Sequence, residues 1–314
     1  MANTPVVVLD DTLTNIANAI RGKNGSSDKY KPGQMADAID NIPAGGIGIP
    51  REVSNGVYQM PEATSFSLPS NANDVGPNAL AYAFYSSPSL TSVDLSSLTT
   101  VSGTGAFRTA FYNCTALTSV DLSSLTTVSG GESFVSAFQR CNKLTSVDLS
   151  SLTTVSGERV FYNTFYNCTA LTSVNLSSLT TVSGNNAFGY AFSNCDKISS
   201  INLSSLTTVS GNGAFSNAFS SCTVITSVDF SSLSTLTGSQ ALYSAFSNCS
   251  RLTSLSFPAL TVDSFGSAVN QFENILSRVT GCTVHFPAAI QAKIETMKGY
   301  PNFGGTNTTV LFDL

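Results

Sequence analysis

The chain repeats itself every 27 residues, and that period constrains its fold more than any other feature. With Leu117 to Lys143 as the unit, a shift of one period brings Leu90, Leu117, Leu144, Leu171, Ile198, Ile225 and Leu252 into one column without an insertion or deletion. Successive segments of a closed globule occupy different surroundings and gain nothing from such regularity. Stacked coils do, because each coil meets only near-copies of itself. The chain therefore reads as a solenoid, a scaffold for binding or for structure.

Within the unit each position has a legible task. Leu117, Val120, Leu122, Leu125 and Val128 spell LxxVxLxxLxxV, a short strand with Val120 and Leu122 inward, then an irregular turn anchored by apolar residues. Gly130 and Gly131 break the chain direction. Phe134, Ala137, Phe138 and Cys141 return at spacings of three and four, which predicts a short helix with one buried face. The expected fold class is α/β: a solenoid of about eight coils, each a short parallel strand plus a short helix, roughly 40 Å long at about 4.8 Å per coil. The first coil in register, Ala63 to Ser89, is atypical, with Phe66 and Leu68 in place of Val93 and Leu95 and Ser87 in place of Cys114. An end coil has one neighbour instead of two, so such departures are expected there.

The repeats divide the chain into a module at 1–43, a linker at 44–50, a solenoid at 51–286 and a cap at 287–314. In the module, Asp11 or Thr12 caps a helix with Leu13, Ile16, Ala17 and Ile20 on one face, and Pro32 opens a second helix carrying Met35, Ala36, Ile39 and Ile42. Two such helices bury too little to stand alone, so the module is expected to dock on a partner chain or on copies of itself as a homo-oligomer. Arg51 to Met60 is expected to cap the first coil. Cys282 to Phe286 repeats the strand pattern as a last rung. A helix opened by Pro287, with Ile290, Ile294 and Met297 inward, covers the open end. The tail, alternating Val310, Phe312 and Leu314, reads as an edge strand.

Composition excludes several partners. Charged residues make up 11% of the 314, the net charge is −5, and the 14 Lys and Arg are scattered, so nucleic acid is not an expected partner. No apolar run reaches the length of a membrane span. The N-terminus MANTPVVVLDDTL lacks the basic and apolar regions of a secretory leader. Six of seven cysteines, Cys114, Cys141, Cys168, Cys195, Cys222 and Cys249, share one column and read as small buried thiols. An in-register ladder aims their Cβ atoms the same way, poor geometry for disulfides, and neither CxxC nor a His partner suggests zinc. No metal or cofactor is expected.

Stacking turns positions into surface columns, and two of them are candidates for binding. The first faces out from the strand: Asp94, Asp121, Asp148, Asn175, Asn202 and Asp229, beside a column of Ser92, Ser119, Ser146, Ser173, Ser200 and Ser227. It reads either as a strip for a cation or for sugar hydroxyls, or as a solvated strand face in which alternation requires something polar. The second lies on the segment predicted helical, where the coils differ most. There Tyr112, Tyr162, Tyr166, Tyr190 and Tyr243 stand among Ser and Asn. Exposed tyrosines give contact area at little entropic cost, as in glycan or protein contact surfaces; alternatively, an outer face tolerates drift. Catalytic chemistry finds no constellation. His285 is the only histidine and lies on a predicted strand, and the GTG and GNG at Gly103 and Gly211 are repeat turns that lack the rest of a nucleotide fingerprint. The chain is not expected to be an enzyme.

The unit LTSVDLSSLTTVSGxxAFxxAFxNC resembles the leucine-rich repeats of the bacterial surface-antigen (BspA-like) family over residues 63–286. It departs from them in having Ser96, Ser123 and Ser150 where that family usually has proline. The resemblance implies a right-handed leucine-rich-repeat solenoid used for adhesion or recognition. LTNIANAIRGKNGSSDKYKPGQMADAIDNI is similar to a module at the start of tail and baseplate proteins of tailed phages and prophages, and GCTVHFPAAIQ to FGGTNTTVLFDL to C-terminal ends of phage-encoded repeat proteins. These resemblances imply a non-enzymatic virion protein, assembled in the host cytoplasm and released by lysis, which would account for the missing leader. Residues 4–43 would then join other tail or baseplate proteins while the solenoid meets a host-surface glycan or protein. The alternatives are a bacterial cell-surface adhesin of the same repeat family, or a purely structural component that spaces or decorates a larger assembly.

Overall fold

The computed structural model describes residues 51–314, apart from 55, 56, 60–62, 69 and 71, with side chains from Ala63 onward. The helical module expected at 1–43 and the linker at 44–50 lie outside the described residues. Each coil has three sides.

The first side is the expected strand. Ser92–Asp94, Ser119–Asp121, Ser146–Asp148 and their successors pair in parallel and in register, Val93 beside Val120 and Asp121 beside Asp148. Ser65–Ser67 at one end, and Thr283–Phe286 followed by Thr309–Phe312 at the other, extend them into a 10-stranded parallel sheet. Ten rungs close about nine turns, one more than the coil count predicts, because the strands at Thr283–Phe286 and Thr309–Phe312 lie beyond the 27-residue register but keep the pairing.

The second side corrects the irregular turn. Thr127–Val128 and its counterparts from Thr100–Val101 to Thr235–Leu236 are two-residue strands that form a second parallel sheet of six. A threonine column ties it together: the Thr126 hydroxyl donates to the Thr99 carbonyl at 2.8 Å and Thr153 to that of Thr126 at 3.0 Å.

The third side corrects the helix. Between Gly103 and Cys114 the chain runs as consecutive turns whose N–H groups point alternately forward and back. The Phe107 N–H donates to Ser133 of the next coil at 2.7 Å, the Arg108 N–H to Gly105 of its own coil at 3.0 Å, the Thr109 N–H to Val135 at 2.8 Å, and the Ala110 N–H to Phe107 at 3.0 Å. Every fourth residue is left-handed: Gly105 (φ 65°), Thr109 (φ 56°) and Asn113 (φ 58°). The reason is dimensional. An α-helix is about 10 Å across, whereas two sheets advancing about 4.8 Å per coil leave half that room. A turn ribbon has the thickness of a strand and bonds forward to the next coil as a strand does.

The core lies between the three sides. The leucines at 90, 117, 144 and 171 and Ile198 and Ile225 are fully buried. Two phenylalanine ladders run the length of the ribbon, Phe84 to Phe246 and Phe107 to Phe215. Their successive rings are nearly parallel, 5.0 Å apart between Phe111 and Phe138 and 5.5 Å between Phe138 and Phe165. Each buried ring contributes about 1.5–3 kcal/mol, much of it from the rings above and below. At the corner after the second sheet the backbones touch. A Cβ on Gly130, Gly157, Gly184, Gly211 or Gly238 would strike the glycine carbonyl of the preceding coil, which is why only glycine occupies that column.

Beyond the regular coils the chain takes other forms. Arg51–Ser54 pairs antiparallel with Val57–Gln59. In the last coil Leu242 bonds to Gln271, and the extra residues are taken up by a 3₁₀ turn at Val262–Ser264. After Pro287, a 3₁₀ turn at Ala288–Ile290 leads into a helix at Gln291–Glu295, burying Ile290, Ile294 and Met297. His285 Nδ1 meets Asp313 at 3.0 Å across the last two rungs, and Lys298 meets Glu273 at 2.5 Å. The Lys298 ammonium beside Glu273 holds its carboxyl below the usual range, against the opposing pull of burial.

Candidate functional site

Asp94, Asp121, Asp148, Asn175, Asn202 and Asp229 line the outer face of the ten-stranded sheet, all exposed. Each also closes a turn. Oδ1 of Asp94 accepts the Ser96 N–H at 2.9 Å, that of Asp121 the Ser123 N–H at 3.0 Å, and those of Asn175 and Asn202 the Ser177 and Ser204 N–H at 3.2 and 3.0 Å. These are Asx turns, which place an oxygen acceptor where the chain leaves the strand. Asp and Asn do this equally well, which accounts for their interchange along the column. Hydrogen bonds from the side chain and backbone of Ser96 hold the Asp94 carboxyl below its ordinary range. A shallow depression of about 250 Å³ lies over this face, lined by Ser146, Asp148, Ser173, Asn175, Ser200 and Asn202. Among the described residues, no three His, Cys, Asp or Glu side chains gather as a metal site would require.

The ribbon face carries the tyrosines, and it gathers them more tightly than the sequence pattern implies. Tyr112, Tyr162, Tyr166, Tyr190 and Tyr243 are half-buried rather than exposed; Tyr112 is shielded by a ring one coil away, and Tyr162 and Tyr190 shield each other. Among the described tyrosines only Tyr82 is appreciably open. Two groups result. In one, Tyr112 stacks on Tyr85 at 5.0 Å with planes 4° apart, and the Arg140 guanidinium lies 6.0 Å from the Tyr112 ring centre. In the other, Tyr162 meets Tyr190 edge to face at 5.8 Å, with Arg159 5.6 Å from the Tyr162 centre.

Gly189 makes the second group fit. A Cβ there would lie 2.7 and 2.8 Å from two Tyr162 ring carbons, so the missing side chain is the space the ring occupies. Burial pushes the Tyr190 phenol above its ordinary value, and Tyr162, Tyr243 and Tyr166 add to the shift, so the four phenols share one neighbourhood. Tyr85, Arg140, Arg159 and Gly189 escape sequence reasoning, although Tyr85 lies one period before Tyr112 and is recoverable from the repeat alone.

The thiol column is closed to chemistry. All seven cysteines are buried and free. Each of the six in register donates its S–H to a phenylalanine carbonyl of the preceding coil, Cys114 to Phe84 at 3.1 Å and Cys141 to Phe111 at 3.2 Å. Burial pushes the Cys114, Cys168 and Cys249 thiols up to about 12, so thiolate is scarce at neutral pH.

A family model described as BspA type leucine rich repeat region matches in six copies, over residues 51–189, 81–218 and 162–276. The chain belongs to the BspA-type leucine-rich repeat family. No curated protein sequence matches this BspA-type repeat protein. Among solved structures, a Treponema pallidum leucine rich repeat protein shares 24% identity over 53% of this chain and 69% of its own, with a TM-score of 0.36. An internalin (inlF) of Listeria monocytogenes shares 13% identity over 99% of this chain and 94% of its own, with a TM-score of 0.27. A plant peptide hormone receptor, RGFR1 in complex with RGF2, shares 14% over 83% of this chain and 47% of its own, again with a TM-score of 0.27. Likenesses this loose carry no argument about function. Among the described residues, no helix is long and apolar enough to cross a membrane.

Proposed function

We propose that this BspA-type repeat protein is a non-enzymatic component of a tailed-phage or prophage particle, and that its solenoid recognises a bacterial host surface through the turn ribbon. The observation that carries the recognition reading is the contrast between faces. The strand and glycine columns are near-copies from coil to coil, as stacking requires, whereas the ribbon's outer positions vary and collect tyrosines into two groups. Paired rings give rigid contact area with little left to immobilise on binding. The resemblance of residues 4–43 to tail and baseplate modules supports the virion reading and assigns those residues to attachment. The interchange of Asp and Asn along the sheet column follows from turn closure and supports the reading that this face is not the principal contact. Two results together test the proposal: binding of the full chain to intact bacterial cells, and loss of that binding with an unchanged melting profile when Tyr112, Tyr162, Tyr166, Tyr190 and Tyr243 are replaced together by Ser. Retained binding would remove the ribbon from the account and favour a spacing or decorating role for the repeats.

A further inference from the structure

The ribbon face is not uniform along its length. Its first coils carry charge: Arg108 and Arg159 both pair with Glu132, the latter at 3.9 Å, and Glu158 and Arg140 stand nearby. From Gly184 to Cys195, Gly211 to Cys222 and Gly238 to Cys249 the ribbon has no charged side chain at all. The outward positions there are Asn, Ser and Gln around Tyr190 and Tyr243. This uncharged stretch begins where the Tyr162 ring lies in the space left by Gly189 and edge-on to Tyr190. The arrangement is therefore an aromatic platform leading into three coils of amides and hydroxyls that advance about 4.8 Å per coil.

We infer that the Tyr162–Tyr190 platform and the uncharged ribbon beyond it bind a neutral glycan chain of the host surface, laid along the solenoid axis. This deepens the recognition reading and rests on it. Two features favour a neutral glycan over other occupants. A pyranose ring has an apolar face of C–H groups that stacks on a phenol ring, and hydroxyls at its edge that pair with amides such as Asn217. An acidic polysaccharide needs a line of cations, and the ribbon segments of these three coils supply none; the one guanidinium at the platform, Arg159 beside Tyr162, is paired with Glu132.

The test uses the full chain against an array of purified neutral and acidic bacterial polysaccharides, read alongside binding to intact cells. The chain contains no Trp, so its intrinsic fluorescence comes from its ten tyrosines, two of which form the platform, and the part that reports on the platform is the change lost in the variant lacking Tyr162 and Tyr190. The expected result is binding to neutral polysaccharides with a change in tyrosine emission. Affinity should alter less than about twofold between about 50 and 500 mM salt, because no ion pair is formed. Replacing Tyr162 and Tyr190 together by Ser is expected to weaken binding about tenfold or more. Replacing Tyr85 and Tyr112 by Ser, at the charged end, is expected to change it less than about twofold. Cells should lose the ability to bind the chain after periodate oxidation and keep it after protease treatment. Binding confined to acidic polysaccharides, binding abolished by protease, or equal losses in the two double variants would overturn the glycan assignment while leaving the recognition reading in place. Absence of binding to every polysaccharide and every cell would overturn both.

Discussion

Gly184 tests how the coils are held together. A Cβ at that position would run into the carbonyl oxygen of Gly157 and lie 2.7 Å from its carbonyl carbon. Both are backbone atoms, so no side-chain rotation relieves the contact and the two coils have to move apart. The hydrogen bonds closest to the contact are those from the Ser183 and Gly184 N–H groups to the Val155 carbonyl, at 2.9 and 3.4 Å. Overpacking of this kind costs about 1–3 kcal/mol, and a weakened backbone hydrogen bond adds about 1 kcal/mol. Gly184→Ala is therefore expected to destabilise the chain by about 2–4 kcal/mol. Gly131 supplies the matched control. It lies in the same bend one coil position further on, its backbone is not left-handed, and a Cβ there would find only the Glu158 carbonyl oxygen at 3.6 Å, an ordinary contact. Other coils carry Thr104, Glu158, Asn185, Asn212 and Ser239 at that place. Gly131→Ala is expected to be neutral or to stabilise by about 0.4–1 kcal/mol through the unfolded chain. Guanidinium unfolding followed by circular dichroism measures both. Equal midpoints for the two variants, or Gly184→Ala within about 0.5 kcal/mol of the parent, would refute the close-approach argument.

Three further outcomes are expected. Asn194 lies at φ 60° on the ribbon, so Asn194→Ala should destabilise by about 1 kcal/mol and Asn194→Gly should not; a helix at this place would invert that order, and thermal melts of the two variants decide it. Asp121→Asn should hold the melting temperature, because the amide oxygen can still accept the Ser123 N–H as Asn175 does for Ser177, whereas Asp121→Ala should cost about 1 kcal/mol; equal effects would show that the turn does not depend on that acceptor. The buried thiols link stability to alkaline pH. Their folded values of about 12 lie above that of the unfolded chain, so their contribution is complete below about pH 8.5 and is lost as pH rises towards 12, by up to about 1.4 kcal/mol per pH unit for each thiol. Replacing Cys114, Cys168 and Cys249 together by Ala should flatten the decline measured between pH 9 and 11, and an unchanged slope would contradict their burial.

Much of this architecture is legible in the sequence because a repeat states its rules many times. The period fixes which residues stack, and the strand and the buried leucine, phenylalanine and cysteine columns follow from it, while the helix after Pro287 and the edge strand at Thr309–Phe312 show in local apolar spacing and alternation. The helix expected in each coil does not form, and the reason lies in one number. Ala106 and Ala110, and Phe107 and Phe111, recur at a spacing of four, which a helix of 3.6 residues per turn matches only over a short run. The spacing belongs instead to a turn ribbon, and its second sign is the left-handed residue at every fourth place, often Asn or Gly, as in Gly105, Asn113, Asn163, Asn167 and Gly213. The second sheet escapes notice because a strand of two residues has no alternation to read. The tyrosines are visible as candidates in the sequence, but their grouping is not. It depends on rings leaning across coils and on the empty volume at Gly189, which a column of letters does not display.

The proposed recognition role turns on which face of the solenoid would contact a host surface. A footprint on the full chain measures this: tyrosine nitration and carboxylate modification, read by mass spectrometry with and without bacterial envelopes that the chain binds. The ribbon reading predicts that Tyr162, Tyr190 and Tyr243 are shielded by the envelopes while Asp94, Asp121, Asp148 and Asp229 react as before. Shielding of the aspartates with unaltered tyrosines would contradict it and move the contact to the ten-stranded sheet.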